Sequence, residues 1–593
     1  MLEPSPKFYE LKGEKSDRTK ISFLFKYLKP HHRFLLQLML GMLLGSLLQL
    51  IFPFLTQSVV DIGIGTQNPG FVTLILVAQL VLFAGRMSVD FLRSWILLHI
   101  STRINISLIS DFLIKLMRLP IGFFDTKLIG DIMQRIGDHS RIENFLTGTS
   151  LNTLFSMFNL IVFGAVLAWY DLTILGFFLL GNSLYVAWIL LFMRRRRELD
   201  YKRFAVAADN QSTLFQIITG MQEIKLNNCE HQKRWRWERI QASLFRVSIK
   251  GLALGQYQQL GSLFLSQTTN IFISFIAANA VIKGDITLGM MMAIIYIIGQ
   301  ISSPVDQLIG FIQSLQDAKI SLERLGEIHN KEDEEPEELQ RISILPDKHD
   351  IHINNLTFRY EGPHSPAVLE NIDLEISQGK VTAIVGTSGS GKTTLIKLLL
   401  GFYKAEKGDI KVGDVSLQNI NGSFWRGQCG AVMQDGFIFS ETIAENIAPG
   451  DDNIDREKLL HAVKVANIRD FIESLPLGYN TKIGQEGSGI SEGQKQRMLI
   501  SRAVYKNPEF IFFDEATNAL DANNEKVIME NLDSFFRGKT VIVVAHRLST
   551  VKNADQIVVL EKGKIVEKGT HKELAAKKGA YYELVKNQLE LGN

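Results

Sequence analysis

The chain has 593 residues, 46% of them hydrophobic, and 64 Lys and Arg against 62 Asp and Glu leave a formal net charge of +2. That balance gives no argument for a nucleic-acid partner. The only cysteines, Cys229 and Cys429, exclude a disulfide framework, a Cys-rich zinc site and a Cys-nucleophile domain near the N-terminus.

The average composition hides an apolar half and a polar half. Residues 34–60, 62–85, 145–170, 172–193, 251–282 and 286–305 contain no Asp, Glu, Lys or Arg. A helix needs about 20 apolar residues to cross a bilayer core. Each stretch is long enough, so the sequence predicts six transmembrane helices in a lipid bilayer. Core helices of a soluble protein are the alternative; so many uncharged runs in succession argue against it. Lys and Arg number 8 in residues 1–33, 8 in 86–144 and 13 in 194–250, while the connections at 61, 171 and 283–285 hold one between them. Positive residues stay cytoplasmic, which places both termini there. The first apolar run is too long, and too far from the N-terminus, for a cleavable signal peptide.

The inner segments carry apolar residues at three-four spacing, as in Ile104, Leu108, Phe112 and Met117. They are expected to be membrane helices continuing into the cytosol. Arg86, Asp90 and Arg93 lie at i, i+4 and i+7. Charges within a span are functional candidates, but an intrahelical ion pair near the inner interface is the preferred reading. Arg194–Arg197 reads as a stop at the headgroups. Residues 331–338 carry a net charge of −5; such a run is expected to stay solvated and to mark a linker. Beyond it, Ile351–Phe358, Val381–Val385, Phe510–Phe513 and Thr540–Val544 are strand candidates separated by helical patterns, the mark of an α/β domain with a largely parallel sheet. The resulting division is a cytosolic segment 1–33, a membrane domain 34–325, an acidic linker 326–348 and an α/β domain 349–593.

Residues Gly386-Thr387-Ser388-Gly389-Ser390-Gly391-Lys392-Thr393 fit G-x-x-x-x-G-K-[ST], between an apolar strand and a helical run that opens at Thr394. That is the context of a P-loop, whose backbone N–H groups close around phosphates. Lys392 would reach the outer phosphates and Thr393 would ligate Mg²⁺. The apolar run Phe510–Phe513 leads to Asp514 and Glu515. Asp514 would hold Mg²⁺, and Glu515 would polarise the attacking water. His546 follows a second apolar strand, 31 residues after Glu515, and is the natural contact to the γ-phosphate.

Taken in this order, the residues resemble the ATP-binding cassette (ABC) family. Tyr360, 26 residues before Gly386, is similar to the aromatic residue that stacks on adenine. Gln434 resembles the glutamine that links Mg²⁺ and water to the membrane domain. Ile490-Ser491-Glu492-Gly493-Gln494 resembles the signature written LSGGQ, Asn518-Ala519-Leu520-Asp521 resembles the D-loop, and Thr481–Gly487 resembles the short loop that precedes the signature in exporters. The resemblance implies a type I ABC exporter: a polytopic six-helix membrane domain followed by an α/β P-loop nucleotide-binding domain that hydrolyses ATP with Mg²⁺. Glu515, His546 and Gln434 would be catalytic. Tyr360, residues 386–394, Ser491, Gly493, Gln494 and Asp521 would contact nucleotide, and Thr393, Gln434 and Asp514 would contact metal. Glu492 replaces a family glycine, and a carboxylate there should repel phosphates unless it points away.

In the family, the signature faces the partner cassette's nucleotide. One cassette and one six-helix domain therefore imply a half-transporter that dimerises, most simply with itself. By the same resemblance, residues 118–127 and 213–222 look like coupling helices. Phe123-Phe124-Asp125, Gly130–Ile136 and Asp138 look like those of bacterial peptide and bacteriocin exporters of the inner membrane. Many of those begin with a papain-like leader peptidase, and Leu2–Phe8 resembles the segment just after it. The reading is a form without that domain, truncated or natural, to which a separate peptidase or adaptor is a possible partner. Gln79, Gln256, Gln258, Gln259, Gln267, Thr268, Thr269, Asn270 and Gln300 in the spans suit a peptide backbone, or join helices. A lipid or drug exporter on the same scaffold is the alternative, and a nucleotide-responsive channel without turnover is a third reading.

Overall fold

The computed structural model describes residues 25–127, 129–336, 341–360, 365–484, 489–516, 520, 522–545 and 551–591. The chain forms two compact units, Met1–Leu119 with Phe123–Asp333, and Glu334–Asn593 with Pro120–Gly122.

The first half of the chain is helical: α1 (His32–Ser58), α2 (Pro69–Met117), α3 (Ile121–Thr126), α4 (Ile129–Glu143), α5 (Ser150–Tyr170), α6 (Leu172–Thr219), α7 (Met221–Leu226), α8 (Glu230–Lys283) and α9 (Leu288–His329). The described residues contain six helical runs long and apolar enough to cross a membrane, from Lys26–Ile64 to Leu288–His329. Only 6% of the most apolar window of α2 is buried, so its leucines and valines are placed for lipid. At 1.5 Å per residue, α2 extends for about 73 Å against a hydrocarbon core of about 30 Å; it continues well past a span, as its apolar spacing predicts. Side-chain caps close two of the short connections between helices. Asn68 accepts from Phe71 N at 3.1 Å. Asp171, the single residue between α5 and α6, accepts from Thr173 N at 2.6 Å.

Polar side chains inside this unit tie helices together. Ser46 donates to Asn159 at 2.6 Å, Gln49 pairs with Gln300, and Tyr170 donates to Gln57 at 2.6 Å. Gln300 thus joins helices. Asp90 pairs with Arg86 at 3.8 Å and with Arg93 at 3.5 Å, all within α2. The arginine run, read above as a stop at the headgroups, pairs with a neighbouring helix: Arg196 reaches Asp317 at 3.3 Å and Arg197 reaches Glu323 at 3.7 Å, both on α9. The second coupling-helix candidate, 213–222, also differs from expectation. Residues 213–219 are the last turns of α6, Gly220 breaks the helix, and the short helix is α7.

The second half carries β1 (Ile351–Phe358), β2 (Leu369–Ile376), β3 (Val381–Gly386), β4 (Lys407–Val412), β5 (Val415–Ser416), β6 (Cys429–Val432), β7 (Phe510–Asp514), β8 (Thr540–Val544), β9 (Gln556–Glu561) and β10 (Lys564–Gly569). The helices used below are α10 (Lys392–Leu399), α11 (Gly422–Gln428), α12 (Glu492–Lys506) and α13 (Ala522–Phe536). One sheet has the order β10-β9-β3-β8-β7-β6 and the other β2-β1-β4-β5. In the larger sheet β3, β8, β7 and β6 are parallel. β7 is buried at every residue, which is why its sequence is a continuous apolar run. The first strand candidate is correct as an element but lies in the smaller, antiparallel sheet. The acidic run does not stay fully solvated: Asp333, Glu334 and Glu335 are partly buried and ion-paired.

Candidate functional site

The parallel strands deliver their C-terminal ends to one edge of the larger sheet, where open α/β sheets bind ligands. β3 ends at Gly386, and residues 387–391 lead into α10. Gly389 and Gly391 take φ of +77° and +103°. A Cβ at Gly391 would lie 2.6 Å from Leu369 Cδ2, so both backbone and space call for glycine. Gly391 caps α10 without a side-chain hydrogen bond. The first-turn N–H groups of α10 therefore remain available to an anion. Thr387, Ser388 and Gly389 are exposed, while Ser390, Lys392 and Thr394 are buried and Thr393 partly so. Lys392 Nζ donates to the carbonyls of Gly386 at 3.0 Å and Thr387 at 2.9 Å. Burial lowers its pKa below the ordinary lysine value, and the nearby Glu515 and Asp514 oppose that shift.

Asp514 is the fully buried last residue of β7. Glu515 leaves the strand with φ +55°. A left-handed non-glycine residue costs about 1–3 kcal/mol and persists only when its surroundings enforce it. Two hydrogen bonds to its backbone do so here: Glu515 N donates to Val544 O at 3.2 Å, and Glu515 O accepts from the Gln496 side chain, Nε2, at 3.4 Å. Gln434 lies two residues past β6, exposed, at the same sheet edge. Thr393, Asp514 and Gln434 offer hydroxyl, carboxylate and amide oxygens, the hard donors that suit Mg²⁺. The Tyr360 hydroxyl lies 3.1 Å from Thr394 Oγ1, and its ring meets Tyr403 edge-on at 5.3 Å.

The signature residues begin a different element. Ser491 caps α12: its Oγ accepts from Gln494 N at 3.2 Å, and Gln494 Oε1 accepts from Ser491 N at 2.8 Å. Among the described residues, Ser491 and Gln494 bond to each other and not to the P-loop. Gly493 follows within the first turn of α12. The Glu492 side chain is 61% exposed and pairs with Lys495 at 3.2 Å. His546, Asp521, Asn518 and Ala519 lie outside the described residues, as do residues 485–487 of the loop before the signature. Sequence reasoning missed Gln496 and Tyr403. An amide on the buried side of α12 was the available signal for Gln496, which is 8% exposed.

Fold and site together define a multi-pass membrane protein that binds ATP, with an ATPase domain coupled to six apolar helices. The profile described as "ABC transporter transmembrane region" matches residues 35–305, and that described as "ABC transporter" matches residues 369–518. The chain belongs to the ABC transporter family and is an ABC exporter. It is 37% identical over 544 residues to the leukotoxin translocation ATP-binding protein LktB of Mannheimia haemolytica, covering 91% of this chain and 76% of the relative. The toxin RTX-I translocation ATP-binding protein of Actinobacillus pleuropneumoniae is 38% identical over 549 residues, with the same coverage. Among solved structures, an ATP-bound bacterial Atm1-family ABC exporter matches with a TM-score of 0.86 and 24% identity, over 94% of this chain and 98% of that one. That likeness gives the fold.

Proposed function

We propose that the protein exports a polypeptide from the cytosol across a bacterial inner membrane, as a homodimer with both termini cytoplasmic, driven by ATP hydrolysis. The observation that carries the substrate class is a cavity of about 670 Å³ between α6, α8 and α9. Arg196, Asp200, Arg203, Gln256, Gln259 and Asp306 line it, with fewer aliphatic residues among them. Amides and opposed charges recognise peptide groups; a lipid or drug dye calls for an apolar and aromatic wall. The cavity lies where the uncharged stretches of α6, α8 and α9 give way to charge, at the ends assigned to the cytosol by the Lys and Arg count. The relatives are named for toxin translocation, which favours the same class.

In the cassette, the glycine-rich loop and the first turn of α10 bind the phosphates, and Lys392 exchanges its two carbonyls for phosphate oxygens. Tyr360 stacks on the base. Thr393, Asp514 and Gln434 hold Mg²⁺, which neutralises phosphate charge when bound. Glu515, fixed by its backbone, orients water, and His546 reaches the γ-phosphate. Ser491, Gly493, Gln494 and Asp521 serve the nucleotide of the second copy. We assign residues 34–325 to the membrane domain, 326–348 to the linker and 349–593 to the cassette.

The test is ATPase activity of the reconstituted protein with an unfolded polypeptide, a short-chain lipid or a cationic dye added. Stimulation by polypeptide, weakened by Gln259→Leu with Arg203→Leu, is expected. Stimulation by lipid or dye alone would overturn the substrate class.

A further inference from the structure

The acidic junction grips the cassette at one helix. Arg426 of α11 donates twice to Glu334, Nη1 to Oε1 at 2.8 Å and Nη2 to Oε2 at 3.1 Å. Glu335 lies 3.7 Å from the same guanidinium and accepts from Ser423 N at 2.7 Å and Asn421 Nδ2 at 3.1 Å. Farther along the junction, Ile342 exchanges backbone hydrogen bonds with Asn419 and Asn421, each 2.9 Å. The preceding acid, Asp333, pairs with Lys115 and Arg118.

What α11 touches makes the grip consequential. The Trp425 indole donates to Leu399 O, at the end of the P-loop helix, at 2.9 Å, and packs on Phe510 at the start of β7 with ring centres 4.7 Å apart. Lys506, the last residue of α12, donates to Arg426 O at 2.5 Å. The chain then passes without a break from α11 into β6 and on to Gln434. One seven-residue helix thus meets the elements that carry the P-loop, Asp514, the signature and Gln434.

We propose that Glu334 and Glu335 are positioning residues for ATP hydrolysis. Through Arg426 they fix the rotation of α11, and hence where β6 presents Gln434 and where α12 ends. The fork of hydrogen bonds sets an angle that a single contact would not. The inference rests on the role given to Gln434 above. It assigns the acidic junction a part in turnover, where its composition alone suggests a passive spacer.

The experiment measures ATPase kcat and KM on purified, reconstituted full-length protein, with melting temperature recorded for each variant. Arg426→Glu and Glu334→Arg are each expected to lower kcat about tenfold, with KM for ATP within twofold, because the P-loop contacts are untouched. The swapped pair is expected to recover to within threefold of wild type. Arg426→Lys, which keeps charge and loses the fork, is expected to fall between. Gln434→Ala is measured alongside. If Gln434→Ala slows turnover while the folded clasp variants do not, the clasp is overturned and the site reading stands. If Gln434→Ala leaves kcat unchanged, the role of Gln434 fails and the clasp fails with it. A loss in the single variants that tracks their melting temperature, with no recovery in the swap, would reduce the contact to fold stability and overturn positioning.

Discussion

The membrane unit and the cassette sort polar and apolar residues in opposite ways. Along the long helices, Leu40, Val81 and Phe275 are each more than 60% exposed, while Ser46, Gln49 and Asn159 are buried. In the cassette, Phe510, Ile511 and Phe512 are wholly buried, and among the described charged residues only Lys392, Asp514 and Glu525 are buried with them. The first pattern suits a solvent that cannot hydrogen-bond, the second suits water. The contrast extends to chemistry. The cassette concentrates its candidate site in loops at strand ends, where by our proposal single residues meet phosphate. Under the proposed function the membrane unit spreads recognition over a cavity wall, where each side chain contributes little.

If that contrast holds, cassette substitutions should act steeply and membrane-unit substitutions shallowly. The steepest case is Glu515→Gln. A general base contributes roughly 10²–10⁴-fold, so turnover should fall by at least about 100-fold while ATP still binds, as nucleotide retention and phosphate release would report. Next is Trp425→Ala, which removes a buried indole, its hydrogen bond to Leu399 O and its packing on Phe510. The cost should be about 3–5 kcal/mol, seen as a fall in the cassette's unfolding midpoint. In the membrane unit, Gln49→Leu breaks the pair with Gln300. Interhelical hydrogen bonds in bilayers average about 0.6 kcal/mol; a loss of several kcal/mol in bicelle unfolding would blur the comparison.

Smaller still is Glu492→Gly. Its carboxylate is mostly exposed and paired with Lys495, so turnover should change by less than about threefold; a manyfold gain would show that the acid weakens the site. The mildest contrast is between the cysteines. Cys429 is buried, which pushes its thiol well above the ordinary range, whereas Cys229 is partly exposed. Maleimide at neutral pH should label one thiol per native chain and two after denaturation. Because the buried thiol resists ionisation and an unfolded one does not, the cassette should lose stability as pH rises above about 8.5.

Legibility in the sequence follows the same contrast. Phosphate chemistry calls for residue types at fixed spacings, so residues 386–394, Asp514 and Glu515 stand out as candidates; Gln434 comes only from the family resemblance, and the apolar runs locate six spans. Contacts that depend on where a helix turns were not readable. The left-handed backbone of Glu515 leaves no spacing signal, and the amide of Gln496 on the buried side of α12 does not tell that it bonds Glu515. The break at Gly220 falls late within the expected 213–222 segment because α6 stays helical through Thr219. The acids at 333–335 looked solvated because composition cannot show that Lys115, Arg118 and Arg426 lie opposite them. The larger sheet was legible through its buried strands, but the short β6 and the exposed edge of β10 gave too little pattern.

The most direct test of the account is ATP-dependent uptake into inside-out vesicles, with a labelled unfolded polypeptide, a fluorescent lipid and a dye offered in parallel and Glu515→Gln as the control. The account predicts uptake of the polypeptide alone, abolished in the control. Uptake of lipid or dye with the polypeptide excluded would contradict it.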